Sequence, residues 1–252
     1  MKTVSPILVA FLFGVVLPAE SSFAQDEKLP SADTVLQDYI DALGGEMLIS
    51  SLESIQINGK FSGPSSGEMK FYYDKGKARV NFYVGDDQSQ QIAYWFDGEV
   101  VWHRNGNVVE LLEGAAADNS LESTVSPTIA LYWAEYPGTV RVVDRVNIDD
   151  VEAIHLQFTS EHGTVFDRYF GVESRLLIKS VFHDTQQERT ITNSYEYQTV
   201  DGIKFISKKK QHHVPGDFIF DYTYDDVDIN SDVDASNFER PDDLEDQLER
   251  RN

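Results

Sequence analysis

The sequence predicts a mainly β protein with a few helices, built on one long antiparallel sheet that curls around its apolar face. Three observations carry that prediction. Apolar and polar residues alternate over most of the stretch from Ser54 to Ile229, with glycine-bearing turns between the runs. One amphipathic helical pattern precedes this stretch. A second apolar segment, Asn119 to Gly138, interrupts it without alternation and without a turn signal before Pro137-Gly138.

The leading helix is read in "SADTVLQDYIDALGG". Ser31 suits the N-cap, Asp33 lies at the positive end of the dipole, and Gly44-Gly45 ends the helix. Val35, Leu36, Tyr39, Ile40 and Leu43 form one apolar stripe at helical spacing. A short helical turn is expected over Glu46 to Leu52. Strands follow in "SIQINGKF", "GEMKFYYDKGKARVNFYV" and "IAYWFDGEVVWHRNGNVVEL", with turns at Asp74-Lys75-Gly76-Lys77, Asp97-Gly98 and Asn105-Gly106. In the interruption, Pro127 suits the first turn of a helix running from Ser120 to Tyr136. Ile129, Leu131, Tyr132, Trp133 and Tyr136 leave that helix little polar face, so it is expected to be mostly buried. Alternation resumes at Val140, with turns at His162-Gly163, Gly171, Asp201-Gly202 and Pro215-Gly216. About ten strands with one apolar face must curl or expose that face to water.

The N-terminus reads as a secretory signal peptide, residues 1–24. Lys2 precedes the apolar run Ile7 to Leu17, Pro18 ends it, and Ser22 to Ala24 offers small residues for cleavage. The run is shorter than the roughly 20 residues a membrane span needs. A polar leader (25–30), a single domain (31–241) and a charged tail (242–252) follow. The chain has no cysteine, which excludes disulfides, thiolate metal sites and lipid attachment at cysteine. A soluble periplasmic protein is expected, without a transmembrane span after cleavage. Its formal net charge of -22 argues against nucleic acid and anionic membrane surfaces as partners. The one basic cluster is "KKKQHH", Lys208 to His213.

Catalytic signatures are missing. There is no G-x-S-x-G, H-E-x-x-H, P-loop or G-x-G-x-x-G, and Ser207-x-x-Lys210 lies in a strand pattern rather than at a helix opening. The histidines lack metal-ligand spacing, and His212 and His213 point to opposite faces of a strand. The ladder Asp226, Asp228, Asn230, Asp232, Asp234 has oxygen ligands at alternate positions but no glycine where a calcium loop needs its turn. It reads instead as the outer face of a last strand whose Val227 and Ile229, with Phe238 beyond it, face inward. No enzyme, cofactor or metal is expected. Trp95, Phe96, Trp102, Tyr132, Trp133 and Tyr136 either fill a core or line a cavity sized for an acyl chain.

The order of these elements resembles the LolA/LolB-like family of periplasmic lipoprotein-sorting and lipid-binding proteins. The likeness rests on "TVLQDYIDALGGEMLISSLESIQINGKFSG", on "GEMKFYYDKGKARVNF", and on the D-G-x-x-x-W hairpin "YWFDGEVVWHRNG" with Asp97, Gly98 and Trp102. It extends through "VESRLLIKSVFH", "TVDGIKFISKK" and "VDINSDVDASNFERP". The resemblance implies an unclosed half-barrel covered or plugged by helices. It also implies a non-enzymatic carrier whose interior holds the acyl chains of a lipid or lipoprotein, served by a membrane-bound donor or acceptor protein. Arg79 matches the family's arginine that holds a lid helix closed. The ligand-binding set on this reading is Arg79, Trp95, Trp102, Leu131, Tyr132, Trp133 and Tyr136. The alternative is a structural or interaction module with a filled core, its partner docking on the sheet edge or on Lys208 to Lys210.

Overall fold

A computed structural model describes residues 28–85, 90–122, 126–184 and 188–239. The expected signal peptide, the start of the polar leader and the charged tail lie outside the described residues.

Helix α1 (Ala32–Leu43) begins where the Ser31 hydroxyl accepts from the Thr34 N–H at 3.1 Å, and it buries its stripe of Val35, Leu36, Tyr39, Ile40 and Leu43. It ends at Gly44, with φ +132°, where a Cβ would sit 2.7 Å from the Gly202 carbonyl oxygen. Only glycine satisfies both the backbone angle and the close approach. Helix α2 (Glu46–Ser50) follows.

Among the described residues thirteen strands then form a single sheet, more than the expected ten or so. Strands β1 (Ser54–Ser62), β2 (Gly67–Asp74), β3 (Lys77–Val84), β4 (Gln90–Phe96), β5 (Val101–Asn105) and β6 (Val108–Leu112) pair in sequence order. So do β7 (Thr139–Ile148), β8 (Val151–Thr159), β9 (Val165–Gly171), β10 (Leu177–Asp184), β11 (Arg189–Val200), β12 (Ile203–Val214) and β13 (Phe218–Ile229). Every pair is antiparallel. The β2–β3 turn is the two residues Lys75 (φ +44°) and Gly76 (φ +89°), the left-handed pair that a tight hairpin needs.

One pairing is not local. β1 lies against β13, with Ile55 opposite Ile229 and Ile57 opposite Val227. This seam joins the two meanders and leaves β6 and β7 as the sheet's unpaired edges, so the half-barrel is not closed.

The chain crosses from one edge to the other through α3 (Ala115–Glu122) and α4 (Ile129–Ala134). The single helix expected over Ser120 to Tyr136 is therefore two. The break follows from local chemistry. Pro127 disfavours helical geometry at Ser126, and the Ser126 hydroxyl accepts from the Thr128 N–H at 3.3 Å. Nor is this segment mostly buried. Ala130 and Trp133 are buried, Tyr132 is 37% exposed, and α3 has no fully buried residue.

The acidic ladder divides. Asp226 and Asp228 are exposed on β13. Asn230 accepts from the Glu53 N–H at 2.8 Å, and Asp234 caps the 3₁₀ turn Ala235–Phe238 by accepting from the Ser236 N–H at 3.0 Å. Among the described residues no group of three or more acidic or histidine side chains is placed to hold a metal, and no helix is long and apolar enough to cross a membrane.

Candidate functional site

The concave side of the sheet is divided into two compartments. One is filled. Helices α1 and α4 pack on β7–β11, where Leu36, Tyr39, Ile40, Leu43 and Trp133 meet Leu156, Phe158, Phe166 and Phe170. The space left there is about 30 Å³, room for a water or two. The other compartment is open. A cavity of about 390 Å³ lies between β2–β5 and β9–β13, with residues of α3 along one side. That volume falls in the range of about 300–1,000 Å³ typical of small-molecule sites.

The cavity wall is apolar because cross-strand register stacks apolar residues on one face. Phe71 pairs with Val80 and Val80 with Tyr94, while Met69 pairs with Phe82 and Phe82 with Ile92. Phe166, Phe182, Phe220 and Tyr222 complete it from the far side.

A buried polar contact separates the compartments. Arg168 on β9 pairs with Glu122 at the end of α3, and both side chains are almost fully buried. The Arg168 guanidinium lies 4.1 Å from the ring centre of Trp133 and 4.2 Å from that of Phe158. Trp133 in turn donates its indole N–H to Glu122 at 2.8 Å. Burial pushes the Glu122 carboxyl above the usual carboxylate range, against the opposing pull of Arg168 and of the indole N–H. A second anchor holds α3. Asp118 accepts from Ser160 at 2.6 Å and from Thr164 at 3.0 Å, and it lies 3.1 Å from His162 Nδ1. The β8–β9 turn thus grips the helix.

The seven residues named from sequence separate in space. Trp133 belongs to the filled compartment, and Leu131 and Tyr136 pack against its core. Tyr132 is exposed on α4, in edge contact with Tyr136 at 5.7 Å. Arg79 and Trp95 border the open cavity. They alternate with Val80, Tyr94 and Phe96, however, so pairing register turns their side chains to the opposite face. There Arg79 donates to Asn81 and to the Asn237 carbonyl, both at 2.8 Å, with its guanidinium 5.0 Å from the Trp95 ring centre. Trp102 stacks on Trp95 within a separate cluster with Ala93 and Val109. The D-G-x-x-x-W spacing has a local cause. Asp97 accepts from the Trp102 indole at 3.0 Å and from the Glu99 and Val100 N–H groups, closing its own hairpin.

The arginine that contacts α3 and α4, at Glu122 and Trp133, is Arg168. Among the described residues, Arg79 holds the 3₁₀ turn instead. Sequence reasoning missed Arg168 and Glu122 because they lie 46 residues apart and neither belongs to a motif. The available signal was weak: Arg168 stands among aromatic residues in "VFDRYF", whereas Glu122 in "SLES" has only Leu121 as an apolar neighbour.

No protein-family model matches this chain, and no curated protein sequence does. Solved structures do match. A LolA superfamily protein from Nitrosomonas europaea aligns with TM-score 0.55 at 12% identity, covering 84% of this chain and 99% of that one. A DUF1329 family protein from Desulfovibrio piger aligns with TM-score 0.55 at 8% identity, over 82% of this chain and 96% of that one. A putative outer membrane lipoprotein-sorting protein domain from Vibrio parahaemolyticus gives TM-score 0.52 at 10% identity, over 82% and 95%. Likeness at such low identity concerns the backbone, and on that ground the fold of this chain is LolA-like.

Proposed function

We propose that this chain is a non-enzymatic periplasmic binding protein that holds an acyl chain in its open compartment. The observation that carries the reading is the 390 Å³ apolar cavity left inside a sheet whose other compartment is packed solid. Burial of each methylene contributes about 0.8 kcal/mol, so a chain of ordinary lipid length supplies ample affinity. Uptake and release require α3 to shift from the cavity's side, and Arg168 and Glu122 bias it toward the seated position. The secretory reading of residues 1–24 and the LolA-like fold support a role in lipid or lipoprotein traffic, with a membrane-bound donor or acceptor as partner.

Native mass spectrometry on protein purified from its own periplasm, followed by lipid extraction, tests this reading. A stoichiometric acyl lipid is expected. Ligand-free protein that also fails to bind added acyl chains would overturn the reading in favour of an interaction module.

A further inference from the structure

The triple lysine of β12 does not form one patch. Lys208 and Lys210 point outward, Lys208 at 2.9 Å from Glu196 and Lys210 at 3.8 Å from Asp221. Lys209 points inward. It pairs in register with Tyr195 on β11 and Tyr222 on β13, and its ammonium lies 4.3 Å from the Tyr222 ring centre at the cavity. Among the described residues no carboxylate is paired with it. Among the described residues lining the cavity, the one carboxylate is Glu122, already engaged by Arg168. Arg189 adds further positive charge to the cavity's lining.

A polar strip crosses the apolar wall beside Lys209. Tyr195 and Ser180 hydroxyls lie 2.8 Å apart, Asn193 donates to Ser180 at 3.2 Å, and Gln211 donates to Asn193 at 3.1 Å. The Tyr222 hydroxyl donates to Gln211 at 3.3 Å, and His213 Nε2 lies 3.0 Å from the same oxygen. These side chains come from four adjacent strands and share one face.

We propose that the cavity binds an amphiphile with an acid head group, its carboxylate or phosphate oxygens seated on the Lys209 ammonium beside this strip and its alkyl chain along the apolar wall. The proposal rests on the acyl-binding reading above and names the class of ligand. Three facts converge on it. The chain carries a formal net charge of -22, so a cation turned inward and away from so many acids answers to an anionic guest rather than to the protein's own charge. Burial depresses the Lys209 ammonium to about 8, which leaves it charged at neutral pH but poorly solvated. A charge-assisted hydrogen bond to an anion restores what desolvation removed.

Calorimetric titration at pH 7 with dodecanoate, dodecyl phosphate and dodecanol, each below its aggregation concentration, tests the proposal. At least one of the two acids should bind tenfold or more tightly than the alcohol, and whichever does identifies the head group. Lys209→Met should abolish that preference, and Lys209→Arg should keep it. Equal affinities for all three compounds, or a preference that survives Lys209→Met, would overturn the head-group assignment while leaving acyl binding intact. Failure of all three to bind would overturn both.

Discussion

The two compartments of the half-barrel are built from one sheet, yet one is packed solid and the other holds 390 Å³ of space. The difference lies in what the chain supplies to cover them. Over β7–β11, α1 contributes five buried side chains and α4 brings Trp133 and Ala130. Beside β2–β5, α3 contributes no buried apolar side chain, only the carboxylate of Glu122. A curved sheet thus presents more apolar surface than the chain's own helices fill, and the remainder is available to a guest. Between the two stands a wall of charge, Arg168 with Glu122, rather than a continuous hydrophobic core.

Breaking that wall should have the largest effect. Arg168→Met leaves the Glu122 carboxylate buried without its counter-charge and should cost about 3–5 kcal/mol in urea unfolding. Adding Glu122→Gln should recover much of the loss. A cost below about 1 kcal/mol would mean that water already solvates the wall. The two sides can next be compared directly. Phe170→Ala in the filled compartment should cost about 3–5 kcal/mol, whereas Phe82→Ala on the cavity wall should cost less than about half as much, because its ring already faces open space. Equal costs would erase the distinction drawn here.

Lys209→Met should act in the opposite direction. The folded-state pKa of Lys209, about 8, lies below its unfolded value, so between pH 8 and 10.5 the unfolded chain binds more protons and stability rises with pH. Below pH 8 both states are protonated, and the cost of burying the charge is fully present. The substitution should therefore stabilise the ligand-free protein at pH 7 by on the order of 1–3 kcal/mol, and the gain should shrink as pH rises through 8. Melting curves of both proteins at pH 7 and 9 measure it, and a pH-independent difference would count against a buried ammonium. The smallest stability change is expected from Val80→Trp, which places a ring in the open cavity. Its melting temperature should move by only a few degrees, about 1 kcal/mol or less, while dodecyl ligands lose their site.

Much of this architecture was legible in local pattern. The α1 stripe and its Ser31 and Gly44 ends, the tight turn at Lys75-Gly76 and the closing Asp97–Trp102 hairpin all depend on residues a few positions apart. The candidate site was less legible. Trp95 and Trp133 read alike as aromatic mass, yet one packs behind the cavity wall and the other plugs the neighbouring compartment. Arg79 carried a family likeness, whereas Arg168, which meets Glu122 of α3, carried none.

What the sequence by itself determined is the set of elements: an amphipathic helix, a long run of alternating strands, and a break between two meanders. Periodicity and turn chemistry act over a few residues and need no partner. Only the tertiary structure decided the β1–β13 seam, the contact of Glu122 with Arg168 and the direction of Lys209. The last case shows the reason. Tyr195 and Tyr197 share a face of β11, but their partners on β12 are Lys209 and Ile206, three residues apart instead of two. That bulge reverses the parity of the strand, turning Lys209 inward and its neighbours out. Whether a strand carries one extra residue is settled by pairing between strands, and no period in the chain announces it.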